Sequence, residues 1–244
     1  MKFDVIVADC PWPFTDKLKM SDIKRGAQAN YSTMTISDIQ QLPIKDICNP
    51  IGAVLCLWVP SSLLQEGLDT MKAWGFKHKQ TYIWVKTKKN PYEDEYKSLK
   101  KRGILMIKYL LEHQFTPKDL KSEIESVAMT IAGKLGFLDF SDILAFGMGR
   151  LFRQTHEICL VGTSSNAVYK QLQNKSRRSV CFAENLKHSA KPEALQDSLE
   201  IMFPDSKKIE LFGRRLRDNW LVIGNESPTT MGEDIKVSLN NLLK

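Results

Sequence analysis

Short apolar runs recur along the chain and alternate with segments in which apolar residues follow helical spacing. The runs at residues 3–9, 53–60, 80–87, 156–161, 209–214 and 219–226 have the length and β-branched content of strands. Residues 53–60 are apolar throughout, which is typical of a strand buried on both faces of a parallel sheet. This alternation predicts an α/β fold with a mostly parallel sheet.

Helix ends are indicated by capping residues and prolines. Ser37 caps a short helix that Pro43 ends, and Gly75 suits the end of a helix over residues 62–74. A further helix is expected to have Pro192 at its first position, with Leu195 and residues four and seven later facing the sheet.

Residues 88–149 differ in character from the segments on either side. Basic residues precede an apolar stretch at 104–111, and a helical pattern follows from Thr116-Pro117 to Gly136. We therefore expect a helical insertion between two core strands, serving as a nucleic-acid recognition element, a helical cap or a self-association surface. The basic residues at its two ends are Lys88, Lys89, Lys100, Lys101, Arg102, Arg150 and Arg153.

Composition restricts the partners and the chemistry. The 244 residues have a formal net charge of +7, which favours a polyanionic partner. The five cysteines are dispersed, without a Cys-x-x-Cys pair, and the four histidines lack ligand spacing, so neither a disulfide framework nor a metal site is expected. No apolar run approaches membrane-spanning length and no signal-like segment begins the chain, so a reduced, cytoplasmic setting is expected.

The first apolar run ends in the segment Asp9-Cys10-Pro11-Trp12. Ligands of open α/β sheets gather beyond the carboxyl ends of the strands, so a carboxylate and an aromatic ring are expected at the mouth of a site. A carboxylate and a backbone carbonyl can each accept an N–H of a planar amine, while an aromatic face stacks on its ring. The alternative is a strand that ends in a turn, with Trp12 in the core.

This segment resembles the Asp-Pro-Pro-Trp motif of the MT-A-seventy family of S-adenosylmethionine-dependent adenine-N6 methyltransferases. Cys10 replaces the first proline, but the family uses the backbone carbonyl at that position, which any residue has. The segments at 156–162, 188–192, 209–214 and 219–226 are similar to four further family elements. The resemblance covers residues 1–87 and 149–226.

The resemblance implies a Rossmann-like methyltransferase sandwich with one antiparallel strand and a permuted order, in which the substrate motif precedes the cofactor motif. The strand at 156–161 is expected to pair antiparallel with residues 80–87. We expect a methyltransferase domain at 1–226 that contains the insertion at 88–149, followed by a tail at 227–244.

The resemblance also implies roles for single residues. The amino protons of adenine are accepted by Asp9 and by the carbonyl of Cys10, in a loop stiffened by Pro11, and the base lies against Trp12 and Tyr31. S-adenosylmethionine is held by Asp9, by Lys191 at its carboxylate, and by Arg214, Asn225 and Glu226 at its ribose. No metal is required.

The substrate expected from these features is DNA, chosen over RNA on resemblance to the bacterial and phage branch, especially at residues 30–34. An RNA adenosine-N6 methyltransferase is the alternative within enzymes, and an inactive partner subunit that binds nucleic acid is the alternative outside them. Phosphate contacts are expected from Lys88, Lys89, Arg102, Arg150 and Arg153, for which solvated surface positions are the other interpretation. A homodimer is a further expectation.

Overall fold

The computed structural model describes residues 1–13, 33–89, 151–185 and 190–244, together with positions 101, 112, 122, 143–145, 147 and 149. Two compact units are present. The core unit comprises Met1–Trp84, His156–Cys181 and Lys191–Lys244. The second unit comprises Val85–Thr155 and Phe182–Ala190.

Seven strands form one sheet in the order β5-β3-β4-β2-β1-β6-β7. Their bounds are β1 Val5–Ala8, β2 Val54–Val59, β3 Lys77–Thr87, β4 His156–Thr163, β5 Val180–Glu184, β6 Lys208–Leu211 and β7 Trp220–Ile223. The pairs β1–β2, β1–β6 and β6–β7 are parallel, whereas β4 is antiparallel to β2. The Rossmann-like α/β class, with one antiparallel strand in a mostly parallel sheet, is therefore confirmed.

Five α-helices have described bounds: α1 Ile36–Gln40, α2 Ile44–Ile47, α3 Leu64–Ala73, α4 Ala194–Met202 and α5 Ile235–Leu243. Two short 3-10 helices occupy Ser61–Leu63 and Asn166–Lys170. Within the described ranges, no helix is long and apolar enough to cross a membrane.

The hydrophobic core explains why the central strands are apolar throughout. Every residue of β1 and β2 is buried, because both strands have neighbours on either side and packing on both faces. One face of these strands, including Ile6, Leu55 and Leu57, lies in a single cluster with residues of α1, α2, α3 and α5. The central position of β1 fixes the place where Asp9 leaves the sheet.

The last residues of the chain are part of this core. Leu239 of α5 is fully buried in the cluster, and the terminal amino group of Met1 donates to the carbonyl of Leu242 at 2.6 Å. Residues 227–244, the tail of the sequence analysis, are therefore part of the core unit.

Three local features differ from the sequence-based expectations. Thr35, not Ser37, caps α1, because its hydroxyl accepts the amide N–H of Asp38 at 3.1 Å. Helix α4 begins at Ala194, so Pro192 precedes the helix. Strand β5 was not expected, since its alternate residues are exposed and it lies at the edge of the sheet.

The second unit is held together around the end of β3. The amide of Lys86 donates to the carbonyl of Thr155 at 2.8 Å, and the amide of Ala145 donates to the carbonyl of Lys86 at 2.8 Å. The amide of Lys88 bonds the carbonyl of Ile143 at 2.9 Å. Most of the expected helices of the insertion lie outside the described residues.

Candidate active site

Two carboxylates reach the same edge of the sheet from different strands. Asp9 is the first residue after β1, at the carboxyl end of that strand. Glu157 is the second residue of β4, and because β4 is antiparallel to β2, its beginning lies beside the end of β2, with Ile158 opposite Val59. The topology therefore brings Glu157 to the edge at which ligands of such sheets bind.

Lys191 lies between these two carboxylates. Its Nζ is 2.8 Å from Oδ2 and 3.0 Å from Oδ1 of Asp9, and 3.1 Å from Oε2 of Glu157. The same Nζ lies 5.6 Å from the centre of the Trp58 ring, within the range of a cation–π contact. Since the Lys191 side chain is only 12% exposed, this is a mostly buried charge cluster.

The charges in this cluster keep Lys191 protonated. Burial alone would lower the pKa of Lys191, but the carboxylates of Asp9 and Glu157 outweigh that effect and raise the pKa above its ordinary value. A lysine in this state donates hydrogen bonds and cannot act as a general base near neutral pH. With one cation and two carboxylates, the cluster has a net charge of −1.

The loop after β1 is fixed by its own backbone. The amide of Trp12 donates to the carbonyl of Cys10 at 2.8 Å, and the amide of Met34 donates to the carbonyl of Pro11 at 2.9 Å. Each carbonyl has a second lone pair for a ligand. Burial, and next to it the charge of Asp9, raise the pKa of the Cys10 thiol well above its ordinary value, so this thiol remains neutral.

Trp12 packs in the core. The residue is 4% exposed, and its indole N–H donates to the carbonyl of Trp58 at 2.8 Å. The structure favours the packing alternative for this residue, because a ring this buried offers little face to a base. Tyr31, the other expected base contact, lies outside the described residues.

The expected ribose-binding residues follow two parallel strands that end side by side. Leu211 of β6 is opposite Ile223 of β7, and Arg214 and Glu226 come three residues after these ends. Nε of Arg214 lies 3.0 Å from Oε2 of Glu226. Both side chains are partly exposed, so a ligand has access to the pair.

Hydroxyl groups fix the loop that presents Asn225 and Glu226. Ser227 and Thr229 both donate to the carbonyl of Val222, at 3.0 and 2.5 Å. The hydroxyl of Thr230 accepts the amide N–H of Gly224 at 2.9 Å and donates to its carbonyl at 2.8 Å. Asn225 and Glu226 are therefore exposed residues on a firmly bonded turn.

The segment before α4 is held by arginines. Nη2 of Arg215 donates to the carbonyl of Lys191 at 2.7 Å, and Nη1 lies 3.1 Å from Glu193. Arg217 contacts three carboxylates at 2.6–2.9 Å, those of Glu193, Asp197 and Glu200. These contacts fix the backbone of Lys191, whose side chain then reaches the two carboxylates.

Glu210 of β6 is a further carboxylate in the neighbourhood of Asp9. It accepts a hydrogen bond from Nε2 of Gln196 at 3.2 Å. Burial, reinforced by the charge of Asp9, raises the pKa of Glu210, although the bond from Gln196 acts in the opposite direction. Glu210 thus resists ionisation more than an exposed glutamate does.

The expected phosphate contacts do not belong to the core unit. Lys88, Lys89 and Arg153 are residues of the second unit, and Arg102 and Arg150 lie outside the described residues. In the described ranges, no group of three or more His, Cys, Asp or Glu side chains is arranged to hold a metal ion.

Sequence reasoning missed Glu157, Arg215 and Glu210. The position of Glu157 could have been inferred from its place at the start of a strand antiparallel to its neighbour. For Arg215 and Glu210 the sequence gives no comparable signal, because their partners are distant along the chain.

Comparison with protein families finds a match over most of the chain. The family described as MT-A70 matches residues 3–104 and 137–226. These ranges include Asp9, Lys191, Arg214 and Glu226.

Curated relatives cover nearly the whole chain at low identity. An N(6)-adenosine-methyltransferase MT-A70-like protein of Drosophila melanogaster is 24% identical over 227 residues, which are 92% of this chain and 27% of the relative. The human N(6)-adenosine-methyltransferase catalytic subunit METTL3 is 23% identical over 227 residues, 92% of this chain and 28% of the relative. The chain therefore spans about a quarter of the length of these relatives.

A third relative is described as a non-catalytic subunit. The N6-adenosine-methyltransferase non-catalytic subunit MTB of Arabidopsis thaliana is 33% identical over 90 residues, 36% of this chain and 11% of the relative.

Proposed function

Because the chain belongs to the MT-A70 family, we propose that it transfers a methyl group from S-adenosylmethionine to the N6 amino group of adenine in nucleic acid. The observation that best supports this function is the cluster in which Lys191 pairs with Asp9 and Glu157 at the carboxyl edge of the sheet. It offers hydrogen-bond acceptors for an amine beside a fixed cation.

At the substrate end, Asp9 and the carbonyl of Cys10 accept the two N–H bonds of the adenine amino group. These bonds raise the electron density on nitrogen, which is otherwise a poor nucleophile because its lone pair is conjugated to the ring. Trp12 acts by positioning: its bond to Trp58 fixes the loop that carries both acceptors. Lys191 orients the Asp9 carboxylate and remains a cation throughout.

At the cofactor end, the donor set fits S-adenosylmethionine. Glu226 and Asn225 offer acceptors for the ribose hydroxyls, and Arg214 holds the Glu226 carboxylate in place. Lys191 offers a cation for the cofactor's carboxylate, which must share it with Asp9 and Glu157. When bound, the cofactor supplies an electrophilic methyl group on its sulfonium.

The net charge of the site matches this chemistry. The cluster of Asp9, Glu157 and Lys191 has a charge of −1, and S-adenosylmethionine has a net charge of +1. Transfer of the methyl group removes the sulfonium charge, so the product is attracted less strongly than the cofactor. Fixed charges of this kind supply a large part of the rate enhancement of many enzymes.

We propose DNA as the nucleic acid, because the segment at residues 30–34 resembles that of the bacterial and phage branch. The basic residues Lys88, Lys89 and Arg153, with Arg102 and Arg150, would contact phosphates in either DNA or RNA. RNA is the second candidate, and the relatives' names, which specify N6-adenosine methylation, favour it.

An inactive partner subunit is the remaining candidate, and the similarity to a non-catalytic subunit is its support. Asp9, Lys191 and Arg214 are all present here, and two of them are in direct contact. A chain that had lost catalysis would have no need to retain this cluster.

One experiment separates the three candidates. The protein is incubated with isotopically labelled S-adenosylmethionine and either DNA or RNA, and the nucleic acid is digested to nucleosides for mass spectrometry. We expect labelled N6-methyldeoxyadenosine from DNA. Labelled N6-methyladenosine from RNA alone would replace the DNA proposal, and the absence of label from both would leave the partner-subunit function.

A further inference from the structure

A narrow loop in the second unit ends in two exposed apolar side chains. We call residues 147–154 the finger loop. A Cβ atom added at Gly147 would lie 1.9 Å from the carbonyl oxygen of Gln154, and one added at Gly149 would lie 1.9 Å from that of Phe152. The two arms therefore approach so closely that only glycine fits at these two positions.

The base of the finger loop is anchored to one residue. The amide of Ala145, just before the loop, donates to the carbonyl of Lys86, and the amide of Lys86 donates to the carbonyl of Thr155, just after it. Both distances are 2.8 Å. With its base closed by these bonds, the loop exposes the side chains of Leu151 and Phe152.

The apolar residues of this loop are unusually exposed. Leu151 is 93% exposed and Phe152 is 88% exposed, more than any other large hydrophobic residue in the described ranges. In the sequence, Arg150 precedes this pair and Arg153 follows it. Adjacent apolar residues exposed to this extent indicate a binding surface, and the arginines on either side indicate that its partner is an anion.

We infer that Leu151 and Phe152 insert between neighbouring bases of the nucleic acid while the flanking arginines contact phosphates. The inference rests on the proposed function and extends it to a named contact. An adenine must leave its stack to reach a strand-end site, and apolar side chains inserted between base steps are a known means of opening a stack. Aromatic side chains also stack on unpaired bases.

Self-association through the same tip is disfavoured by charge. In a symmetric dimer, the same patch of both copies meets itself. Two finger-loop tips in contact would bring Arg153 of each copy close together, and like charges at an interface are costly. Nucleic acid is the partner whose charge complements the arginines and whose bases complement the apolar pair.

The test measures binding and does not depend on methyl transfer. Fluorescein-labelled 30-mers, as single-stranded DNA, duplex DNA and single-stranded RNA, are titrated with Leu151→Ser and Phe152→Ser variants at several salt concentrations. Ile51→Ser is the matched control, because Ile51 is 63% exposed in the turn before β2. We expect roughly ten-fold weaker binding for Phe152→Ser, with an unchanged slope against salt, and no change for Ile51→Ser.

Substitution of Arg153 should instead change how the affinity depends on salt. Arg153→Gln should reduce the slope of log affinity against log salt by about one, because one phosphate contact is lost. Weaker binding of the Leu151 and Phe152 variants to duplex DNA would indicate that these side chains open a base stack. Weaker binding to the single strands alone would indicate that they stack on an unpaired base.

Two results would overturn the inference. The first is that the Leu151→Ser and Phe152→Ser variants bind every probe with the same affinity as Ile51→Ser. The second is that these variants sediment as monomers where the wild-type protein is a dimer, while the affinity per monomer is preserved. If the variants weaken binding but the wild-type protein methylates neither DNA nor RNA, the finger-loop inference stands and the proposed function fails.

Discussion

At the scale of single residues, Lys191 decides the chemistry of the candidate site. It lies within 3.1 Å of two carboxylates and is fixed through its own backbone carbonyl by Arg215. Because its pKa is raised, it is a permanent cation near neutral pH, and the proton acceptor for the reaction must be sought elsewhere.

Lys191→Gln should lower the affinity for S-adenosylhomocysteine by ten-fold or more, because removal of a buried cation leaves Asp9 and Glu157 unpaired and facing the ligand's carboxylate. Isothermal titration calorimetry measures this affinity, and circular dichroism checks the fold. Lys236→Gln is the control, since Lys236 forms a similar but exposed ion pair with Asp38. Equal affinities of the two variants would remove Lys191 from the cofactor site.

Glu210 gives a pH-dependent prediction for stability. Its pKa is raised by burial and by Asp9, so the folded state favours the protonated carboxyl group. Its stabilising contribution is complete below the unfolded pKa of about 4.3 and is lost as the pH rises through the higher folded pKa. Glu210→Gln should therefore raise Tm at pH 7.5 and change it little at pH 4.5, as measured by differential scanning fluorimetry. A Tm difference independent of pH would contradict this.

At the scale of elements, the continuous apolar runs made β1 and β2 predictable, because strands buried on both faces contain few polar residues. The strand at 156–161 was also predicted from its apolar run, and the structure places it, as β4, between β3 and β2. The edge strand β5 and the late start of α4 could not be predicted. Strand β5 lacks a buried apolar run. Glu193, the residue just before α4, pairs with Arg215 and Arg217, which are distant along the chain.

Part of the candidate site could be predicted from the sequence, where the signal is local. Asp9 could be placed from the sequence because a strand that ends in an acid is a local signal. Its contact with Lys191 joins residues 182 positions apart, and only the fold determines it. The packing of Trp12 was one of two interpretations that the sequence left open.

The turns after β6 and β7 give a prediction at this scale. A Cβ at Gly224 would lie 2.8 Å from Cα of Phe212, so Gly224→Ala must displace the β6–β7 turns that present Arg214 and Glu226. We expect affinity for S-adenosylhomocysteine to fall at least several-fold. Gly75→Ala is the control: Gly75 has a φ of 84°, so the substitution destabilises by about 1 kcal/mol but lies at the end of α3. Equal binding by both variants would contradict the expected ribose site.

At the scale of the whole molecule, the candidate site and the chain as a whole have opposite net charges, which suits two kinds of ligand. The core unit contains the cluster of net charge −1, which suits a cationic cofactor. The second unit contains Lys88, Lys89 and Arg153, and the chain as a whole has a net charge of +7, which suits a polyanion.

Deletion of residues 92–146, with a short Gly/Ser bridge, tests this division of roles. We expect S-adenosylhomocysteine binding to survive and DNA binding to be lost, because the deletion removes Arg102 and the Ala145 bond that closes the base of the finger loop. Calorimetry and fluorescence anisotropy measure the two affinities. A deletion variant that keeps salt-sensitive DNA binding but sediments as a monomer, where the full chain is a dimer, would show that the insertion serves assembly.

The central claim is that the Asp9 carboxylate accepts a hydrogen bond from the amino group of an adenine during methyl transfer. Its most direct test compares Asp9→Asn with the wild-type protein by nucleoside mass spectrometry after incubation with S-adenosylmethionine and nucleic acid, beside calorimetric titration with S-adenosylhomocysteine. We predict that N6-methylated adenosine or deoxyadenosine falls at least 100-fold while cofactor binding persists in weakened form. Near wild-type methylation by Asp9→Asn would contradict the account.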